Sequence, residues 1–235
     1  MRQNENLMLI GDSVVLVPYK HEHVLQYHEW MKSPFLQEMT ASEPLTLEEE
    51  YEMQQSWHED ERKCTFILLA LPKDQPTKLS AMSPHDIKQT AIMIGDVNIF
   101  LNDRDDDLTF GEIEIMIAEE GYRRQGRGLE ALRLMMAYAS AELGLRTFHA
   151  KISLANEPSI ELFKKKLAFY PVSISNAFQE ITLEWSINNP PSVIGEDEEE
   201  PYGFKATPEQ KTAINAMRED LISYWNTGVR KVDWE

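Results

Sequence analysis

Residues 111–128, GEIEIMIAEEGYRRQGRG, decide how this chain is read. Glu112-Ile113-Glu114-Ile115-Met116-Ile117 alternates with the period of a strand. Arg123-Arg124-Gln125-Gly126-Arg127-Gly128 follows. Leu129, Leu132, Met136, Ala139 and Leu143 then recur at steps of three and four, and Gly144 closes a helix. A basic, glycine-containing turn between a strand and a helix N-terminus holds phosphate. Its N–H groups point outward, glycine permits close approach, and the helix dipole favours negative charge. Glu112 and Glu114 share one face of the strand. A phosphate cradle beside two potential proton acceptors implies an enzyme that uses a phosphorylated cofactor.

Upstream, Ser13 to Tyr19 reads as a strand and His21 to Lys32 as a helix stopped by Ser33-Pro34. Thr40 to Leu45 reads as a loop. Thr46-Leu47-Glu48-Glu49 is a capping box, so a second helix runs to about Glu59, and Lys63 to Leu71 is a strand. Residues 72–90, with three prolines among polar residues, read as an exposed insertion. Ala91 to Leu101 is a strand in which Gly95 marks a bulge, and an acidic turn from Asp103 to Asp107 leads into the strand at 109–118. Downstream come a strand from Arg146 to Ser153, a helix from Glu157 to Leu167, and a closing hairpin of Tyr170–Asn176 with Gln179–Ile187. Alternating strands and helices predict an α/β chain, a mixed sheet with helices on its faces.

The 235 residues suit one well-buried domain, over 1–190, plus an appendage. Residues 191–206 form an acidic linker around Glu196 to Glu200. Residues 207–235 give a helix capped by Thr207-Pro208-Glu209-Gln210, whose Ile214, Met217, Leu221 and Trp225 form a stripe that docks on the domain body. No apolar run spans a bilayer, and Met1 to Asn6 lacks the form of a signal peptide. The lone Cys64 lies in an apolar strand and reads as buried. One cysteine makes no internal disulfide, which suits a reducing, cytoplasmic setting. A net charge of −17 argues against general nucleic-acid or anionic-membrane binding. Basic residues gather instead at Arg123, Arg124 and Arg127 and at Lys164 to Lys166, which fits a small anionic ligand.

Neither the G-x-x-x-x-G-K-[ST] nor the G-x-G-x-x-G nucleotide signature is present; the turn is Arg-x-x-Gly-x-Gly. A second segment, Asn156-Glu157-Pro158-Ser159-Ile160-Glu161-Leu162-Phe163-Lys164-Lys165-Lys166-Leu167-Ala168-Phe169, follows some thirty residues later. The pair resembles the GNAT superfamily of acetyl-CoA-dependent N-acetyltransferases, whose pattern joins [QR]-x-x-G-x-[GA] to N-x-x-S-x-x-L-[YF]-x-K-x-G-F. The resemblance covers residues 8–188. It implies the GNAT fold, a central twisted mixed sheet of about seven strands with helices on both faces. Tyr27 to Met31 and Thr40 to Thr46 look like one eukaryotic subgroup, the N-acetyltransferase 9 group, regarded as acetylating the N-termini of alpha and beta tubulin.

By that resemblance, the backbone of Arg124, Gln125, Gly126, Arg127 and Gly128 cradles the pyrophosphate of coenzyme A, and Arg123 and Arg127 add charge. Ile117 and Ala118 pair their backbone with the pantetheine arm. Asn156, Ser159 and Phe163 lie along the cofactor's far side, although Asn156 and Ser159 also suit ordinary helix capping. Glu112 stands where several members keep a general base, and Glu114 lies nearer the reacting carbon; both are candidates. No metal is implied. Phe163 departs from the tyrosine that protonates the departing thiolate in many members, and Ala168 replaces the usual glycine.

An α-amine with a pKa near 8 is about one-tenth neutral at pH 7, whereas a lysine near 10.4 is neutral roughly 300 times less often. Modest base catalysis therefore suffices for N-terminal acceptors. The resemblance implies a protein acceptor, tubulin or microtubules, recognised by residues 34–44 and by the turn at Ser175 to Phe178. Two alternatives stay open: an acetyltransferase for lysines or small molecules, and a scaffold that binds coenzyme A or microtubules without catalysis.

Overall fold

A computed structural model describes residues 2–75, 77–101, 107–187 and 206–234. The acidic linker, and most of the acidic turn after Leu101, lie outside the described residues. Nine strands hydrogen-bond in the order β7-β8-β6-β5-β4-β3-β2-β1-β9. They are β1 (Leu7–Ile10), β2 (Val15–Pro18), β3 (Lys63–Ala70), β4 (Ile92–Phe100), β5 (Phe110–Ile117), β6 (Thr147–Ser153), β7 (Tyr170–Ser175), β8 (Glu180–Ser186) and β9 (Arg230–Asp233). The helices are α1 (Val24–Met31), α2 (Pro34–Thr40), α3 (Leu47–Glu59), α4 (Pro84–Thr90), α5 (Arg127–Glu142), α6 (Glu157–Lys166) and α7 (Pro208–Ser223). The mixed α/β fold is as expected, with two strands more than about seven. One is β1, which forms a hairpin with β2; the other is β9, which pairs with β1 from Leu7↔Asp233 to Ile10↔Arg230.

The chain forms two compact units: Met1–Phe100, Ile115–Met136 and Asn226–Glu235, and Leu101–Glu114 with Ala137–Trp225. In the first, β1 and β2 are buried at nearly every residue, and β3 from Cys64 onward, so the sheet is covered on both faces. Met8, Ile10, Val15, Val17, Ile67, Leu69 and Met116 pack with α1, α2 and α4 through residues such as Trp30, Leu36 and Ile87. On the other face of β5, a Cβ built on Gly128 would touch Ile117 and Ile115 at 3.7 and 3.8 Å, so α5 begins there.

Two segments are more helical than their residues suggest. Residues 34–40 form α2, because Ser33 accepts from the Leu36 N–H and Pro34 occupies the first turn. The stretch 72–90, expected as an exposed insertion, contains α4, capped by Ser83 and bearing buried Ile87; Leu79 before it is also buried. Pro84 here starts a helix rather than breaking one. The capping boxes at Thr46 and Thr207 form as expected. So does the bulge in β4: Leu68 faces Gly95 and Leu69 faces Met93, leaving Ile94 as the extra residue.

In the second unit β6 and β8 pair antiparallel along the full length of β6, and β7 closes the hairpin with β8. Phe148 and Trp185 meet edge-to-face at 5.6 Å in its core. The stripe on α7 docks as expected: Ile214 and Leu221 are buried, and Trp225 just beyond α7 packs against Tyr138 of α5. Cys64 is fully buried, as its apolar strand predicts.

Candidate active site

In the first unit, β5 ends at Ile117, and one helical turn (Glu120–Tyr122) brings the chain to the basic segment. Arg124 and Gly126 both adopt left-handed backbone, at φ 57° and 82°. A turn of that kind aims successive N–H groups outward. Among the described residues, the N–H groups of Arg124, Gln125 and Gly126 donate to nothing else in the chain. A Cβ on Gly126 would meet nothing within 4 Å, so this glycine faces open space at the mouth of α5. Such a turn at a helix N-terminus suits an anionic group.

The arginines of the turn bond to the chain around them, Arg123 first. Its Nε donates to the Ile117 carbonyl at 2.7 Å and its Nη2 to the Ala118 carbonyl at 2.9 Å, and its guanidinium lies over Phe35. It therefore braces the turn against the end of β5. Arg127 stacks on Tyr122 and donates to Gln125. Beside the turn lies a cleft of about 530 Å³ lined by Trp30, Phe35, Leu36, Ala118, Glu119 and Arg123. The Trp30 indole fixes one wall by donating to Glu119 at 2.8 Å.

Close approach explains Gly95 in the same unit. A Cβ there would lie 1.9 Å from the Met116 carbonyl oxygen, so only glycine lets β4 and β5 run this near. The bulged Ile94 carbonyl accepts from the Glu119 N–H at 3.2 Å, which ties the bulge to the end of β5.

In the second unit, β5 and β6 run parallel through only three register pairs, Phe110↔Thr147, Gly111↔Phe148 and Glu112↔His149. Glu112, half-buried, forms an ion pair with Lys151 of β6 at 3.1 Å. Glu114 is exposed and lies beyond the last register pair. Asn156 is the N-cap of α6, its side chain accepting from the Ser159 N–H at 3.3 Å. Phe163, grouped in the sequence with cofactor contacts, is 2% exposed and packs edge-to-face on Phe169. It is the one buried residue of α6, and its ring packs in the core. Ala168 sits in left-handed backbone at φ 60°.

A polar group that the sequence does not single out lies beside Glu112. His149 Nε2 is 2.7 Å from a carboxylate oxygen of Glu184, which is fully buried, and the Tyr170 hydroxyl donates to the other oxygen. Glu184 stands between the apolar Leu183 and Trp185 of β8. That misplaced charge was the available signal.

Comparison with known proteins shows what the chain is similar to. The chain matches the acetyltransferase (GNAT) domain over residues 13–166. A mouse protein, alpha/beta-tubulin-N-acetyltransferase 9, is 54% identical over 190 residues, spanning 81% of this chain and 75% of the relative. The human protein of that name is 52% identical over 189 residues, spanning 80% and 87%. Among solved structures, a ribosomal L7/L12 alpha-N-protein acetyltransferase (RimL) in complex with coenzyme A shares the fold, with a TM-score of 0.57 over 76% of this chain and 96% of that one, at 13% identity.

Proposed function

This chain belongs to the GNAT acetyltransferase family and is an acetyltransferase, and we propose that it acetylates protein N-terminal α-amines, those of alpha and beta tubulin. The turn from Arg124 to Gly128 carries the cofactor half of this reading: outward N–H groups, a glycine open to solvent, and the start of α5. These features fit the pyrophosphate of acetyl-CoA, which supplies the acetyl thioester. Ile117 and Ala118 offer their backbone to its arm, and the family resemblance assigns Asn156 and Ser159 to its far side. The names of the mouse and human relatives support the acceptor half.

Transfer is attack by a neutral amine on the thioester carbonyl. Glu112, oriented by Lys151, takes a proton from the acceptor nitrogen, directly or through a water; Glu114 is the alternative. Phe163 has no proton to give, but a thiolate whose conjugate acid has a pKa near 8.5 leaves without strong acid assistance. The two acceptor-recognition segments, residues 34–44 and Ser175 to Phe178, each expose a phenylalanine, Phe35 and Phe178.

Transfer of labelled acetyl from acetyl-CoA to a panel of peptides tests the reading. Label on α-amines, with tubulin N-terminal peptides preferred, is the expected result. Label confined to lysines or to small amines would overturn the acceptor assignment.

A further inference from the structure

Four polar residues form one row across four strands. Glu112 of β5 is the register partner of His149 of β6, His149 of Glu184 of β8, and Glu184 of Tyr170 of β7. Register partners project from the same face of a sheet, so the four side chains stand abreast. Glu112 and His149 are the last pair of the β5–β6 ladder, at the place where these strands stop hydrogen-bonding.

The row is built from its buried end. Glu184 has no exposure, and a carboxylate so placed needs strong partners. It takes the Tyr170 hydroxyl on one oxygen and His149 Nε2 on the other. Burial, and then this bond, pushes the Tyr170 phenol well above its usual range, so Tyr170 stays a donor. With Glu184 ionised it can only accept, which puts the imidazole proton on Nε2 and the lone pair on Nδ1. Phe110 stands edge-on to the ring at 4.5 Å and limits its rotation. Nδ1 has no hydrogen-bond partner among the described residues, and the side chain keeps 13% exposure. A base whose second nitrogen is held by a buried carboxylate is the arrangement that tunes imidazole for proton transfer.

We propose that His149, held by Glu184 and Tyr170, takes the first proton from the incoming acceptor ammonium at Nδ1, leaving Glu112 to take the second. The inference rests on the acetyl-transfer reading. Breaking one N–H bond of the ammonium leaves its electron pair on nitrogen and the proton on Nδ1, where Glu184 balances the new charge. The nitrogen pair then forms the C–N bond while the C–S bond breaks toward sulfur. Glu112 receives the nitrogen's second proton and later passes it to solvent, and the proton on His149 goes to the thiolate. The products are an amide, a thiol and one released proton. This route supplies the acid that Phe163 cannot.

The test measures kcat, KM and acetyl-CoA affinity for the full chain and for His149→Gln, Glu184→Gln and Tyr170→Phe, alongside the ¹⁵N spectrum of His149. The unaltered chain should show Nε2 protonated and Nδ1 bare in the neutral ring. His149→Gln should lose about 100-fold or more in kcat, with acetyl-CoA affinity unchanged. Tyr170→Phe, the mildest change to the buried group, should lower kcat by a smaller factor and shift the His149 nitrogen resonances. A proton on Nδ1, or a His149→Gln variant within threefold of the parent kcat, overturns this proposal while leaving acetyl transfer intact. No transfer by the unaltered chain overturns both.

Discussion

Lys151 Nζ lies 3.1 Å from a carboxylate oxygen of Glu112, just past the end of the β5–β6 ladder. The pair fixes the direction in which Glu112 presents its second oxygen, so orientation and proton transfer should separate on mutation. Glu112→Gln keeps the shape and removes the base; kcat should fall about 100-fold or more with acetyl-CoA affinity unchanged. Lys151→Met should lower kcat by a smaller factor. Steady-state kinetics on one N-terminal peptide checks both.

Gly126 and Gly128 should respond differently to substitution. Around Gly126 a side chain meets no protein atom, but it enters the space assigned to the pyrophosphate, and its φ of 82° disfavours any residue with a Cβ. Gly126→Glu should abolish acetyl-CoA binding by calorimetry while the protein stays folded. Gly128→Ala adds only ordinary contacts with Ile115 and Ile117 and should bind within a few-fold of the parent.

The helices α5 and α6 end in the same way. Leu143 and Leu145 N–H groups both donate to the Ala139 carbonyl around Gly144, and Leu167 and Phe169 both donate to the Phe163 carbonyl around Ala168. Both turns are left-handed, and only the second strains a Cβ. Ala168→Gly should raise unfolding free energy by about 1 kcal/mol in denaturant titrations.

His23 is buried, and burial pushes its imidazole below the ordinary 6.5; its Nδ1 accepts from the Lys20 N–H at 3.0 Å. A histidine with a depressed folded pKa binds fewer protons folded than unfolded. Its contribution is present above about 6.5 and is lost as pH falls from there through the folded value. Thermal stability should therefore decline on acidification below pH 6.5, and His23→Asn should flatten that slope.

Much of this was legible in the residues. The strand, turn and helix at 111–143 could be read because alternation, glycine and a three-four repeat change over within thirty positions. Ser-Pro pairs were harder. Thr207-Pro208 was recognisable as a helix start because a capping glutamine follows, whereas Ser33-Pro34 and Ser83-Pro84 look the same as helix stops. Arg123 showed its charge but not its carbonyl partners, which depend on where β5 ends. The His149–Glu184–Tyr170 row was hidden because its members sit on three strands and meet only through register.

The central claim is acetyl transfer to a protein α-amine, and the most direct measurement is the position of the label on tubulin. Purified unacetylated tubulin would be incubated with the chain and isotope-labelled acetyl-CoA, and its N-terminal peptides fragmented in the mass spectrometer. The account predicts one labelled acetyl group on the α-amine of each tubulin chain, absent with Gly126→Glu. Unlabelled N-termini, with label found only on lysine side chains, would contradict it.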